Sequence, residues 1–448
     1  MLDHKRFPRD KVCGDFVGPV GLLELQRLGI DNRAEYRRTN AIREAALFVD
    51  GEELIVRSLP QIAGVPALGR VVPRVVLDQW LVDAATACGA ALLDGHRVDA
   101  VRQETDCVRV SVRVGEATRS LRARIVVGAD GSNSQVARIL RGGGPRKDRL
   151  IIAVRGYFDA MGGNPHRADL YFSRHSFPGY TWVFPTGDGR ANVGVGMILQ
   201  TVPRATQHLR ELLLDLVRED LALADRLAGA RLDDRIVGWP LATFDPRRQL
   251  VDDRLVLVGD AAGLINPLNG EGIQYALLSG RWAAAAIVEA IASGDCSQQA
   301  LSPYTRKVHD AVRYDMALAQ MIVALIRNRS LNGVWLEALR GIAARARSDT
   351  AFAHTAGGIL VGVLPARDAA SRRFAMAAIG QGMRLIAANA VLALGRPAKG
   401  GGVSRPRRRP LRTAMRNPGA FIGWSASLAA PAVELARQGV TDALRRRD

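Results

Sequence analysis

Leu22, Leu25 and Leu28 recur at helical spacing ahead of Gly29, which predicts a short helix with one apolar face and a glycine at its end. Leu77, Trp80, Leu81 and Ala84 repeat the pattern, predicting an amphipathic helix over 76–88 closed by Gly89. Residues 40–58 read as strands around the turn Asp50-Gly51. Two further strands are expected over 91–93 and 107–113. Two short runs are apolar throughout, one ending at Gly128 and one at Gly259, as in strands buried on both faces of a parallel sheet. Between them, 150–197 is rich in β-branched and aromatic residues and punctuated by Gly and Pro, whereas 209–227 is helical. A helix over 272–293 follows the second run, and from residue 302 onward the pattern is mostly helical. Strands alternating with helices, interrupted by a β-rich insert, predict an α/β fold with a second, β-sheet domain.

Composition narrows the class. The 448 residues suffice for two or three domains, and 48% hydrophobic with 24% charged residues is a globular balance. No uninterrupted apolar run reaches the roughly 18–20 residues of a membrane-spanning helix. The four cysteines form no CxxC pair, which predicts a reduced, cytoplasmic protein. The seven histidines show no metal-ligand spacing, so no metal is expected. The net charge is +18, and half of it lies in residues 396–448, where 12 Lys/Arg face three Asp/Glu. The run 405–412 carries no aromatic residue to stack on bases, which argues against nucleic acid. Its position between the apolar stretches 385–395 and 420–435 favours peripheral contact with the inner face of a membrane, a solvated tail being the alternative.

The residues with most chemical content lie at 254–273. A buried strand ends in Gly259-Asp260, a loop carries Pro267, Gly270, Glu271 and Gly272, and a helix opens at Ile273. Asp260 is placed to accept hydrogen bonds from ligand hydroxyls, and the two later glycines let backbone approach a flat ring. The free N–H groups of the new helix can stabilise negative charge. A second strand leads into Asp130-Gly131, alone a weak signal because Asp-Gly is usually just a turn. Pro178-Gly-Tyr180-Thr-Trp182-Val-Phe184-Pro185 puts three aromatic rings on one strand face, suited to a long apolar ligand or to core packing.

The 254–273 string resembles the GD motif of class A flavoprotein monooxygenases and their reductase relatives. Asp130-Gly131, about 130 residues earlier, resembles their DG motif, and Arg74 with Asp78 resembles their segment near the phosphate and ribityl region. The aromatic string, its continuation through Asn192 and Gly196, and Cys13-Gly14-Asp15 are similar to the geranylgeranyl-reductase branch. The resemblance covers residues 1 to about 300. It implies FAD held by Asp3, Arg74, Asp130, Gly131, Gly259, Asp260, Pro267, Gly270, Glu271, Gly272 and Ile273. It also implies Cys13 beside the reacting double bond, and a prenyl cavity lined by Tyr180, Trp182 and Phe184. The expected activity is reduction of isoprenoid carbon–carbon double bonds, with NADPH or a reduced redox protein as electron donor, by a monomer. A flavin monooxygenase and a non-catalytic membrane-binding product are the alternatives. The expected domains are an FAD-binding domain (1–35, 70–149 and 245–300), a β-rich substrate domain (36–69 and 150–244) and a helical region with a basic tail (301–448).

One departure from the family is large. The strand, GxGxxG loop and helix that hold the pyrophosphate do not occur in the sequence; Gly142-Gly-Gly-Pro145 has no strand before it. Met1-Leu-Asp3 resembles the end of the second strand, so roughly 30 residues of the first βαβ unit are expected to be missing, by a misplaced start or a true truncation. The chain as written is expected to bind FAD poorly.

Overall fold

The computed structural model describes residues 1–203, 208–233 and 235–365, together with positions 424, 428, 429, 432 and 433. The basic run 405–412 and the apolar stretch 385–395 lie outside the described residues, as does most of 420–435.

The two apolar runs form the strands Val126–Gly128 and Leu255–Leu257, which pair in parallel. Leu255, Val256 and Leu257 are fully buried, and Val251–Asp252 completes a three-stranded sheet on their far side. Val126–Gly128 is the edge of that sheet, and Val127 is exposed on it. The helices Ile273–Ser293 and Gln298–Ile326 pack over the sheet in one core that includes Tyr275, Ala283, Tyr304 and Met316. An antiparallel meander, Arg97–Gln103, Val108–Val114 and Ala117–Ala123, joins the same core through Val101, Val108, Val110 and Val112. The sequence reading captured only its middle strand, because the outer two present arginine and small polar residues to solvent.

The β-rich insert is an eight-stranded sheet. Its centre is the antiparallel set Leu150–Asp159, Ala191–Ile198, Tyr180–Pro185 and Arg167–Phe172. The hairpin Glu44–Val49/Glu52–Ser58 turns at Asp50-Gly51, both at positive φ, and joins the sheet through a parallel pairing of Glu44–Val49 with Arg167–Phe172. The helix Leu209–Glu219 covers one face with Leu209, Leu212, Leu213 and Leu216, a stripe at 3–4-residue spacing.

The first expected helix forms over Pro19–Arg27. Leu22 and Leu25 are buried, but Leu28 is 52% exposed, because the helix ends one residue before it. The strand expected at 91–93 reduces to a single parallel bridge between Leu2 and Leu93. Ile273–Ser293 is long and apolar enough to cross a membrane by length and composition. It packs against Pro19–Arg27 and Gln298–Ile326, and its Arg281 pairs with buried Glu24 at 2.8 Å, while Val288 on its other face is exposed.

Candidate functional site

Leu255–Leu257 delivers the chain to Gly259, at φ +55, and to a single helical turn, Gly259–Ala262. The loop beyond is closed by its own backbone: Asn266 N–H donates to Glu271 O at 2.9 Å and Gly270 N–H to Asn266 O at 2.9 Å. The Asn266 side chain accepts from Leu268 N–H at 2.9 Å. Gly270 has φ +73, which a residue with a side chain would strain to adopt. A Cβ at Gly272 would stand 3.2 Å from Asp260 Oδ1, so a larger residue would press on that carboxylate. Helix Ile273–Ser293 starts at Gly272 without a side-chain cap, leaving its first-turn N–H groups to whatever lies in front.

Residues 3–18 form the facing wall. Asp3 Oδ2 accepts from Arg9 Nε at 3.0 Å, and another nitrogen of Arg9 donates to Asp78 Oδ2 at 3.0 Å. Arg74 grips Asp78 with two nitrogens, at 2.7 and 3.0 Å. Lys11 Nζ lies 3.3 Å from Asp260 Oδ2 and ties this wall to the loop. Burial disfavours the charge of Arg74, but Cys13 and Asp78 more than offset it and hold the guanidinium above its ordinary range. Burial pushes the Cys13 thiol up, with Arg74 opposing. The protonated thiol is the state that follows from burial, and Asp78 is then the partner that holds the charge on Arg74.

Cys13-Gly14-Asp15 is the joint between this wall and the β-rich sheet. Asp15 is wholly buried at φ +63, and its N–H reaches Cys13 Sγ at 3.4 Å. Its Oδ2 accepts from Tyr157 Oη and, at 2.8 Å, from Asn192 Nδ2, while Oδ1 has no partner. Burial raises the Asp15 carboxyl to about 6 against these hydrogen bonds. Asn192 also donates to Cys13 O at 2.8 Å and accepts from Trp182 Nε1 at 2.9 Å. A Cβ at Gly14 would come within 3.3 Å of the Phe184 ring, so glycine allows the aromatic row to close on the turn. Tyr180, Trp182 and Phe184 follow one another with ring centroids 6.2 and 6.1 Å apart. Tyr180 Oη donates to Asn269 O, which docks the row on the 263–272 loop. The turn after Thr350–Leu360 caps the same loop, where Leu360 O accepts from Asn269 Nδ2 at 3.0 Å. Glu271 is enclosed between this turn and Gly18, and burial pushes its carboxyl up to about 8.

The structure therefore brings Asp3, Cys13, Arg74, Asp260, Gly270 to Ile273 and the aromatic row into one linked set of elements. Asp130 behaves differently: its carboxylate accepts from Gln135 N–H at 2.7 Å and from Ser134 Oγ, at the start of its own helix. Asp15, Tyr157, Arg9 and Lys11 were missed as site residues. Only Asp15 had a signal, its place directly after Cys13-Gly14; the others depend on partners 69 to 249 positions away. Glu104, Asp106 and Cys107 also lie close together, but Arg109 and Arg122 engage their oxygens and sulfur.

Residues 24–317 match the family model described as an FAD binding domain. The chain is 32% identical over 297 residues to a menaquinone reductase of Mycolicibacterium smegmatis, covering 63% of this chain and 69% of the relative. It is 32% identical over 272 residues to digeranylgeranylglycerophospholipid reductase 1 of Methanopyrus kandleri, covering 59% and 70%. A crystal structure of a geranylgeranyl bacteriochlorophyll reductase-like protein from Thermoplasma acidophilum aligns with a TM-score of 0.65 at 24% identity. That alignment covers 77% of this chain and 84% of the other, and the likeness is one of fold.

Proposed function

The chain belongs to the FAD binding domain family, and from that premise we propose that it is an oxidoreductase that reduces carbon–carbon double bonds of an isoprenoid substrate. The observation that carries this reading is the aromatic row Tyr180-Trp182-Phe184, closed onto Cys13-Gly14-Asp15 and docked on the Asp260–Ile273 loop. It puts an apolar wall, a protonated thiol and the family's flavin loop at one place. Menaquinone reductase and digeranylgeranylglycerophospholipid reductase among the relatives support a prenyl chain as the substrate.

The uncapped helix start at Ile273, the side-chain-free backbone at Gly270 and Gly272, and the carboxylate of Asp260 fit the flavin and its ribityl chain. Asp3 suits the adenosine ribose, and Arg74, joined to Arg9 through Asp78, suits the phosphate and ribityl region. The reduced form of FAD, when bound, would supply a hydride to one carbon of the double bond and be left as oxidised FAD, to be reduced again by the electron donor. Cys13, kept protonated by burial, is placed to give the proton that the other carbon needs. Asn192 fixes the Cys13 carbonyl, and Trp182 fixes Asn192, so the thiol and the apolar wall are held in register. Asp130 and Gly131 contribute by shaping the neighbouring junction. Electrons come from NADPH or a reduced redox protein. The enzyme acts as a monomer at the inner face of a membrane, with the basic segment after residue 396 as its contact.

The test is anaerobic incubation of the chain with FAD, a chemical reductant and a menaquinone or a geranylgeranylated lipid, with product mass as the readout. A gain of two hydrogens per reduced bond is expected, lost in Cys13→Ala and weakened in Trp182→Leu. Hydroxylated product with oxygen consumption, and no gain of hydrogen, would overturn the reading. Visible absorbance during FAD titration measures the affinity for the cofactor.

A further inference from the structure

The glycine run 142–144 has no place in the site above. Gly142 ends the helix Gln135–Arg141 at φ +65, where glycine is the usual residue. Gly143 and Gly144 have no positive φ, and a Cβ at either would meet nothing within 4 Å. Neither packing nor conformation demands glycine there. Among the described residues, moreover, the N–H groups of Gly143 and Gly144 have no acceptor. Bare backbone with free N–H groups is how a chain approaches a phosphate.

The cleft beside the run is lined by Arg141, Arg146, Arg149 and Arg248, with Asp245 as the one carboxylate. Arg141 donates to Gln249 O at 2.9 Å and Ala262 O at 3.0 Å, and Arg248 to Gly144 O at 2.7 Å. Carbonyl oxygens hold these guanidinium groups in place without neutralising them. Arg146 is paired with Asp148 at 2.8 Å. The side chain of Arg149 makes no hydrogen bond or close ion pair among the described residues, and Asp245 and Asp148 act on its charge only from a distance. Asp245 is buried and accepts from Arg247 N–H at 3.2 Å. Burial, then the like charge of Arg248, brings Arg141 down to about 10. Like charges gathered in a half-buried cleft oppose folding, and an anion relieves them. A second small pocket that shares Arg141 and Arg248 with this one is lined by Ser132, Ser134 and Asp260.

We propose that the cleft between Gly142–Pro145 and Arg149/Arg248 is a binding site for the phosphate groups of a small molecule. Two sources have this chemistry: a phosphorylated nicotinamide dinucleotide that donates electrons, and the diphosphate head of a prenyl substrate. The site stands on its own residues and does not require the reductase reading, and binding without turnover separates the two.

The experiment is calorimetric titration of the full chain with inorganic pyrophosphate, at two salt concentrations, and competition by NADPH, NADH and geranyl diphosphate. One pyrophosphate per chain is expected, bound more weakly at high salt. Arg149→Gln is expected to weaken it about tenfold, the worth of one charge-assisted contact. Gly144→Val adds a side chain into open space, so it is expected to leave the melting temperature unchanged and to block the ligand. Displacement by NADPH more than by NADH assigns the nucleotide; displacement by geranyl diphosphate assigns the substrate head; displacement by neither leaves an inorganic phosphate site. Absence of pyrophosphate binding to the parent chain, or equal affinity in Arg149→Gln and Gly144→Val, overturns the proposal.

Discussion

Two junctions in this protein share one local pattern: a short parallel strand, then an acid and glycines, then a helix. The strands Val126–Gly128 and Leu255–Leu257 even lie side by side. At the first, Asp130 and Ser134 accept N–H groups of the seven-residue helix that follows, and the junction is satisfied by its own residues. At the second, the 21-residue helix has no side-chain cap, and Asp260 reaches Lys11, 249 positions away. A self-capped junction has its polar groups satisfied without a ligand. A junction whose helix start and carboxylate are left to distant or external partners is equipped to receive a ligand.

The sharpest way to break this comparison is to remove each acid in turn. Asp260→Ala is expected to weaken FAD binding about a hundredfold, through loss of charge-assisted hydrogen bonds to ligand hydroxyls, with little change in the melting temperature of the ligand-free chain. Flavin titration and thermal melting check both halves. The distinction fails if Asp130→Ala gives the same loss of affinity.

The next effect is on pH dependence. Burial raises the Glu271 carboxyl from 4.5 to about 8. The folded chain keeps that proton after the unfolded chain has released it, so this contribution to stability is complete below about 4.5 and is lost as pH rises through about 8. Glu271→Gln is therefore expected to flatten the fall in melting temperature over that window. Asp15, raised from 3.8 to about 6, has the same sign, and a residual slope between those values is expected to remain. An unchanged profile in Glu271→Gln would mean that the carboxyl is hydrated.

Smaller effects belong to the self-capped junction. Asp130→Ala is expected to cost about 1–2 kcal/mol of stability by releasing the amides at Gln135 and Val136. Ser134→Ala, which frees Ala137 N–H, is expected to cost about 1 kcal/mol. Chemical denaturation measures both.

Much of the fold was legible because periodicity is a local property. The helix over 76–88 appears as Arg74–Ala87, and the helix over 272–293 as Ile273–Ser293, each with its apolar face inward. The outer strands of the 97–123 meander were not legible, because exposed edge strands carry no apolar alternation. The aromatic row could be placed on one strand face from the sequence, but its contact with Gly14 could not, since that contact joins residues about 170 positions apart. Gly142-Gly-Gly-Pro145 was visible only as a glycine run without a strand; the arginines that give it meaning come from 141 to 248.

What the sequence by itself determined is the set of local propensities: which runs become buried strands, where glycine must end a helix, and which residue types sit at each strand end. What only the tertiary structure decided is which of these polar groups are satisfied at home. Asp130 and Asp260 carry the same carboxylate after the same kind of strand, and Arg146 and Arg149 the same guanidinium three positions apart. Whether such a group is held by its own segment, as Asp130 is by the amides of Gln135 and Val136, or by a residue far along the chain, as Asp260 is by Lys11, depends on which distant elements folding brings together.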